Sequence, residues 1–342
     1  MDTRYPTLWR QTWVVPVLTV VIYLVAVPVN AQQQAKPVRI GIPYFGTDAA
    51  APRLEGAFYQ GLRSLGYVEG QSLLVERRCC ANGNEEQFGK FMADLIQRKV
   101  NVVLVATPQA AVAAKQATST IPIVFVSVAD PIKLGLVANL AHPGGNITGF
   151  SHAALAAPGE ALGKQMQLMK DLIPSLSRLG IFINSANPSY EQVDFPRILA
   201  DLAKTVGVTP IVVDAHEPAD LRPAFEKAVG ARCQAIVVTA DTLTFSERTQ
   251  IAALAAKYHL PATYWFREHV EAGGLMSYGV DLADLWRRAA GYVDRIAKGA
   301  NPGDLPVERP TKFELVMNPN VAKSLGLTVP PSLLGRVDEF VQ

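Results

Sequence analysis

The chain has 342 residues, about half of them hydrophobic, and 32 basic against 30 acidic side chains leave a formal charge of +2. A length of this order suggests two domains with cores that need no covalent staples. Charge so close to balance, with both signs spread along the chain, gives no reason to expect a nucleic-acid partner. Cys79 and Cys80 are adjacent and Cys233 stands alone. Neighbouring cysteines rarely bridge, because their Cα atoms lie about 3.8 Å apart where most disulfides want about 4.4–6.8 Å. The simplest reading is free thiols, or one bridge to Cys233, and no CxxC or clustered-His spacing suggests a metal.

In chain order, Arg4 and Arg10 precede an apolar run over 13–29 that Pro16 and Pro28 interrupt, and Val29-Asn30-Ala31 follows. This is the layout of a secretory signal peptide over 1–31, cleaved near Ala31, which sends the chain to the periplasm. A retained membrane helix would want roughly 20 uninterrupted apolar residues, and here Gln32-Gln33-Gln34 follows at once. No Cys follows the small residues and there is no Arg-Arg pair, so neither a lipid anchor nor the twin-arginine route is expected.

From residue 38 onward, β-rich apolar runs alternate with segments of helical period. Strands are predicted over 38–44, 73–78, 100–106, 121–127 and 147–151. Between them Leu54, Phe58, Leu62 and Leu65 mark one helix face, opened by Pro52, and Phe88, Met92 and Leu95 mark another. The alternation then restarts: Leu162, Met166, Met169 and Ile173 form a helix face, and strands are predicted over 179–184, 208–214, 235–240, 261–265 and 275–280. Leu285, Ala289, Tyr292 and Ile296 lie on one side of a late helix. Such alternation implies an α/β chain with two doubly wound parallel-sheet domains. The tail over 306–331 reads as a connector, a strand, a short helix and a Pro330-Pro331 stop.

Reagents for catalysis are hard to find. The five histidines form no HExxH, Gly149-Phe150-Ser151-His152 lacks the second Gly of a nucleophile elbow, and no phosphate-binding glycine loop follows a strand. A binding site is easier to locate, because ligands of open α/β sheets sit outside the carboxyl ends of the strands. The exits give Tyr44, Phe45, Thr47, Thr107, Gln109, Ser127 and Asp130 in the first block, and Asn184, Asn187, Asp241 and Tyr264 in the second. Asp241 or Asp130 suits an ammonium, Tyr44, Phe45, Tyr264 or Trp265 suits a ring, and the short polar residues suit a carboxylate. Each has a plainer reading as well: Thr107, Asp130 and Asp241 as helix caps, Asn184 and Asn187 as turn residues, Tyr264 and Trp265 as core aromatics.

Three stretches carry a family resemblance. The tail Pro306-Val307-Glu308-Arg309-Pro310-Thr311-Lys312-Phe313-Glu314-Leu315-Val316-Met317-Asn318, with Ala322-Lys323-Ser324-Leu325-Gly326-Leu327, is one. The run from Ala51-Pro52-Arg53-Leu54-Glu55-Gly56 to Glu69-Gly70-Gln71 is the second, and Ala129-Asp130-Pro131 through His142-Pro143-Gly144-Gly145-Asn146-Ile147-Thr148-Gly149 the third. Together they resemble bacterial ABC-transporter substrate-binding proteins, some of which bind aromatic amino acids such as tryptophan. The resemblance spans essentially the whole chain after the export segment. It implies the type I periplasmic-binding fold, with three crossings between lobes, near 150–151, 277–278 and 305–306. The lobes would then comprise 36–150 plus 278–305, and 151–277 plus 306–342. It implies a monomeric solute receptor without enzymatic activity or cofactor, serving an ABC permease in the inner membrane. The segment 46–51 departs from the aromatic binders by carrying no His and three alanines, so the expected ligand is amino-acid-like rather than tryptophan in particular. A sensor-type binding protein and a secreted enzyme on the same fold are the alternatives.

Overall fold

The computed structural model describes residues 1, 36–44, 52–79, 81, 84–128, 130–151, 159–187, 194–310 and 313–342. The expected export segment beyond Met1 and the segment 46–51 therefore lie outside the described residues, as do Phe45 and Thr47. Pro37–Gln342 is one compact unit, and two sheets organise it.

The first sheet is built by β1 (Val38–Pro43), α1 (Pro52–Ser64), β2 (Leu73–Arg78), α2 (Glu85–Gln97), β3 (Val102–Val105), α3 (Pro108–Ala117), β4 (Ile123–Val128) and β5 (Ile147–Ser151). Its strand order is β2-β1-β3-β4-β5, all parallel. Side chains alternate across a strand, and here both faces are covered. Val102, Leu104, Val124 and Val126 point to one core, and Val103, Val105, Ile123 and Phe125 to the other, under α2 and α3.

The second sheet takes α4 (Glu160–Leu172), β6 (Arg178–Ile183), α5 (Phe195–Val206), β7 (Thr209–Asp214), α6 (Leu221–Gly230), β8 (Ala235–Val238), α7 (Thr242–Ser246), α8 (Arg248–Lys257), β9 (Ala262–Tyr264), α9 (Arg267–Glu271) and β10 (Met276–Val280). The chain then returns to the first sheet as α10 (Leu282–Ala297). It ends in the second with β11 (Phe313–Met317), α11 (Pro319–Ser324), α12 (Pro331–Leu334) and β12 (Glu339–Phe340). The order is β12-β11-β10-β9-β8-β6-β7, parallel except where β10 meets β11. Two packed cores again flank the sheet, one holding Leu179, Ile181 and Val237, the other Phe182, Ile236 and Val238.

Helix α10 lies with α1 on one face of the first sheet. Gly61 makes that packing possible: a Cβ there would sit 2.6 Å from the Arg287 carbonyl oxygen and 2.7 Å from the Ala290 Cβ. The chain passes between the two sheets three times, as the family resemblance implies. The second crossing follows Val280, which still pairs with Phe313. The third follows Glu308, whose N–H bonds to the Gly149 carbonyl and whose carbonyl accepts from Ser151 N–H. The Pro330-Pro331 pair is no stop. Pro330 is the N-cap and Pro331 the first residue of α12, a position where proline's missing N–H costs nothing.

Cys233 is free and buried, whereas Cys79 is disulfide-bonded. The expected choice between free thiols and a bridge to Cys233 is thereby corrected. Cys80, the chain's other cysteine, lies outside the described residues.

Candidate functional site

Strand exits of the two sheets meet. Thr242, just after β8, donates its hydroxyl to Gln109 Oε1, just after β3, at 3.2 Å. Arg53, on the helix after β1, reaches Glu268, on the helix after β9, at 3.2 Å. Both contacts join residues that follow carboxyl ends of strands, the side on which ligands of such sheets bind.

On the second-lobe wall, three sequence-predicted residues converge. Asp241 is 6% exposed and caps α7, its Oδ1 accepting the Leu243 N–H at 2.7 Å. The same Oδ1 accepts from Asn184 Nδ2 at 2.9 Å, and Oδ2 accepts from Asn187 Nδ2 at 2.6 Å. Asn184 is oriented in turn by its own Oδ1, which takes the Ala186 N–H at 3.1 Å, so its amide must present nitrogen to the carboxylate. The cap reading of Asp241 holds, and its carboxylate also orders both asparagines. Its partners are all neutral, and it forms no ion pair with a described residue. Burying such a charge is costly unless a cation arrives. The Thr244 N–H also donates to this carboxylate in a capping box, so amide and backbone donors together take up the about four acceptor positions that a carboxylate offers.

The first-lobe wall is less tightly built. Thr107 caps α3, its Oγ1 accepting the Ala110 N–H at 3.1 Å, and Pro108 begins the helix. Gln109 follows and faces Thr242. Ser127 sits at φ +70°, in the left-handed region that costs an ordinary residue roughly 1–2 kcal/mol, beside a register break between Val126 and Val128. Strain of this kind concentrates at binding sites. Asp130 behaves as a turn cap: its Oδ1 accepts the Lys133 N–H at 3.1 Å, and Lys133 Nζ lies 3.8 Å away.

The aromatic candidates go elsewhere. Tyr264 is fully buried and stacks on His269, with ring centroids 4.7 Å apart. Trp265 meets Phe313 edge-on, and Tyr44 is buried with its hydroxyl donated to Glu55. These three occupy core positions rather than the cleft wall.

Ser185, Asp214 and His216 also cluster. Ser185 Oγ lies 2.5 Å from Asp214 Oδ2 and 2.9 Å from His216 Nε2, and Asp214 Oδ2 lies 3.1 Å from that same Nε2. A relay needs its acid and nucleophile on opposite ring nitrogens, so this exposed cluster is not assembled as a catalytic triad. Burial raises the Asp214 carboxyl, but the Ser185 hydroxyl and N–H and the neighbouring His216 outweigh it and hold the group below its usual range.

The Arg53–Glu268 contact escaped the sequence reading. Arg53 also reaches Glu271 at 3.8 Å and Asp281 at 3.4 Å. Glu268 is 2% exposed and its Oε2 has no hydrogen-bond partner among the described residues. Burial pushes its carboxyl up to about 7, with Arg53 acting in the opposite direction. Residues 215 positions apart leave no local pattern by which to find such a pair.

This architecture has close counterparts. A curated tyrosine-binding protein of Clostridioides difficile (strain R20291) is 26% identical over 296 residues, covering 85% of this chain and 82% of its own. The crystal structure of a conserved domain protein from Vibrio cholerae superposes with a TM-score of 0.79 at 26% identity, covering 90% of this chain and 100% of the other. An ABC domain from Streptococcus pneumonia, solved in complex with L-Trp, gives a TM-score of 0.78 at 23% identity, again covering 90% and 100%; at that identity the likeness is one of fold. The model of the family described as ABC transporter substrate binding protein matches residues 44–341. With two α/β lobes, a polar crevice between their strand exits and a match over that whole span, the chain belongs to the ABC transporter substrate binding protein family.

Proposed function

We propose that this protein is the extracytoplasmic receptor of an ABC importer and carries an amino-acid-like solute in the crevice between its lobes. The observation that carries the reading is Asp241: a buried carboxylate, braced by Asn184, Asn187 and the Leu243 and Thr244 N–H groups, with no described cation beside it. That is the environment an α-ammonium group requires. Ser127, Gln109 and the start of α3 supply the facing wall, and the tyrosine-binding relative supports the same solute class. Lobes hinging about the crossings near 151, 281 and 309 would close over the solute, as periplasmic binding proteins do. Delivery to an inner-membrane permease, and export with cleavage near Ala31, complete the reading. No helix among the described residues is long and apolar enough to cross a membrane.

Thermal shift and calorimetry with the twenty amino acids test this directly. A native-state ligand at about 100 times its Kd stabilises by about 2.7 kcal/mol, so the true solute should raise the melting temperature by several degrees. No shift and no heat from any amino acid at millimolar concentration would overturn the assignment.

A further inference from the structure

We propose that the second lobe holds a separate binding site for a small, uncharged, single-ring hydroxyl compound of the phenol class, in a cavity at the amino ends of β9 and β10. The cavity, of about 260 Å³, lies between α8, the turn before β10 and α11. The crevice is at the opposite, carboxyl ends of the strands. Ala255, Leu260, Leu275 and Leu325 give the cavity apolar walls, and exposed Ala256 and Ser324 mark its mouth. No Asp, Glu, Lys or Arg is among the described residues that line it, so a charged molecule would lose its hydration there without a partner. An apolar cavity of about 150 Å³ already takes up benzene, which sets the occupant at one substituted ring.

One buried polar group belongs to this wall. Tyr264 lines the cavity, and its backbone is taken up in pairing with β8 and β10, so it is the ring that reaches the wall. The hydroxyl end of that ring packs on Gly274, which lines the same cavity. A Cβ on Gly274 would stand 2.4 Å from Tyr264 Cε2, the atom bonded to the hydroxyl-bearing carbon. His269 covers one face of the ring, with centroids 4.7 Å apart. Tyr264 is 0% exposed, and its Oη has no hydrogen-bond partner among the described residues. A buried hydroxyl left unpaired is costly, and most such groups in folded proteins have a partner. Burial holds the phenol well above its ordinary range, so it stays protonated and can donate to the oxygen of an incoming hydroxyl. A ring without that oxygen fills the apolar space and leaves Tyr264 unpaired, which is how such a site discriminates.

Calorimetry and methyl NMR with phenol and toluene, which carry a hydroxyl and a methyl on the same ring, test the site. The wild type should bind phenol and shift the Val321 and Leu325 methyl signals. In Tyr264→Phe the ratio of phenol to toluene affinity should fall about tenfold, as expected when a hydrogen bond to a buried hydroxyl is lost. The hydration of each ligand is common to both proteins and cancels in that comparison. The melting temperature of Tyr264→Phe should not fall, because the variant removes only an unpaired group; a marked fall would show the hydroxyl already paired and overturn the proposal. Phenol that binds without moving those methyl signals, as it would in the crevice, also overturns it. So does an affinity ratio unchanged in Tyr264→Phe, or no binding of phenol at millimolar concentration. None of these outcomes bears on the amino-acid reading of the crevice.

Discussion

For Asp241 a cap role and the proposed solute role can be separated. Asn is as good an N-cap as Asp, so Asp241→Asn should keep α7 in place while removing the charge. The expected result is a melting temperature close to wild type and a loss of about 2–5 kcal/mol in solute binding; unchanged affinity by calorimetry would make Asp241 a cap and nothing more. Ser127 offers the complementary case. Its φ of +70° suits glycine, so Ser127→Gly should relieve roughly 1 kcal/mol of strain and raise the denaturant midpoint. If the hydroxyl serves the solute, that gain in stability comes with weaker binding.

At the scale of elements, two contacts set limits on change. Helices α1 and α10 approach at Gly61, where a side chain would meet backbone rather than a yielding side-chain tip. Gly61→Val should therefore destabilise by about 1–3 kcal/mol or more, read as a lowered urea midpoint, whereas Gly56→Ala on the exposed side of α1 should not. The short helix α9 carries a pH dependence of opposing signs. Glu268 is raised by burial from 4.5 to about 7, so it binds a proton more tightly folded than unfolded. Its contribution is full below about pH 4.5 and is lost as pH rises through 7, on the order of 3 kcal/mol in all. His269 is lowered by burial from 6.5 to about 4, so its contribution is full above 6.5 and is lost as pH falls toward 4. Glu268→Gln should thus flatten the decline in stability between pH 5 and 8 and leave the acid limb, set partly by His269, in place. A wild-type decline that persists in the variant would assign it to another group.

At the scale of the whole molecule, solute binding should draw the lobes together. Gln109–Thr242 and Arg53–Glu268 already bridge strand exits of the two sheets, so the two lobes are in polar contact at the crevice. Small-angle scattering with and without solute should show compaction about the crossings near 151, 281 and 309. The Gln109→Met variant should show a smaller change at equal solute occupancy. Equal radii of gyration with and without bound solute would mean that the lobes do not hinge.

Local pattern encodes the strands and the long helices. The parallel strands are nearly all apolar because both faces are covered, and the long helices repeat their apolar positions at 3 and 4. β5 and β2 therefore occupy their predicted residues, and the late helix emerges from Leu285, Ala289, Tyr292 and Ile296. The exits of those strands, and with them Asn184, Asn187, Asp241 and Gln109, could be named from position alone. Helices α7 and α9, five residues each, are too short to show a period, and two-residue β12 exists only because β11 pairs with it. Tertiary structure alone decided which exit residues meet. Asn184 and Asp241 lie 57 positions apart and Gln109 and Thr242 133 apart, and no periodicity reports on such distances. It also sent Tyr264 into the core against His269, since a tyrosine at a strand end carries the same local signature whether its ring turns to the cleft or to the interior.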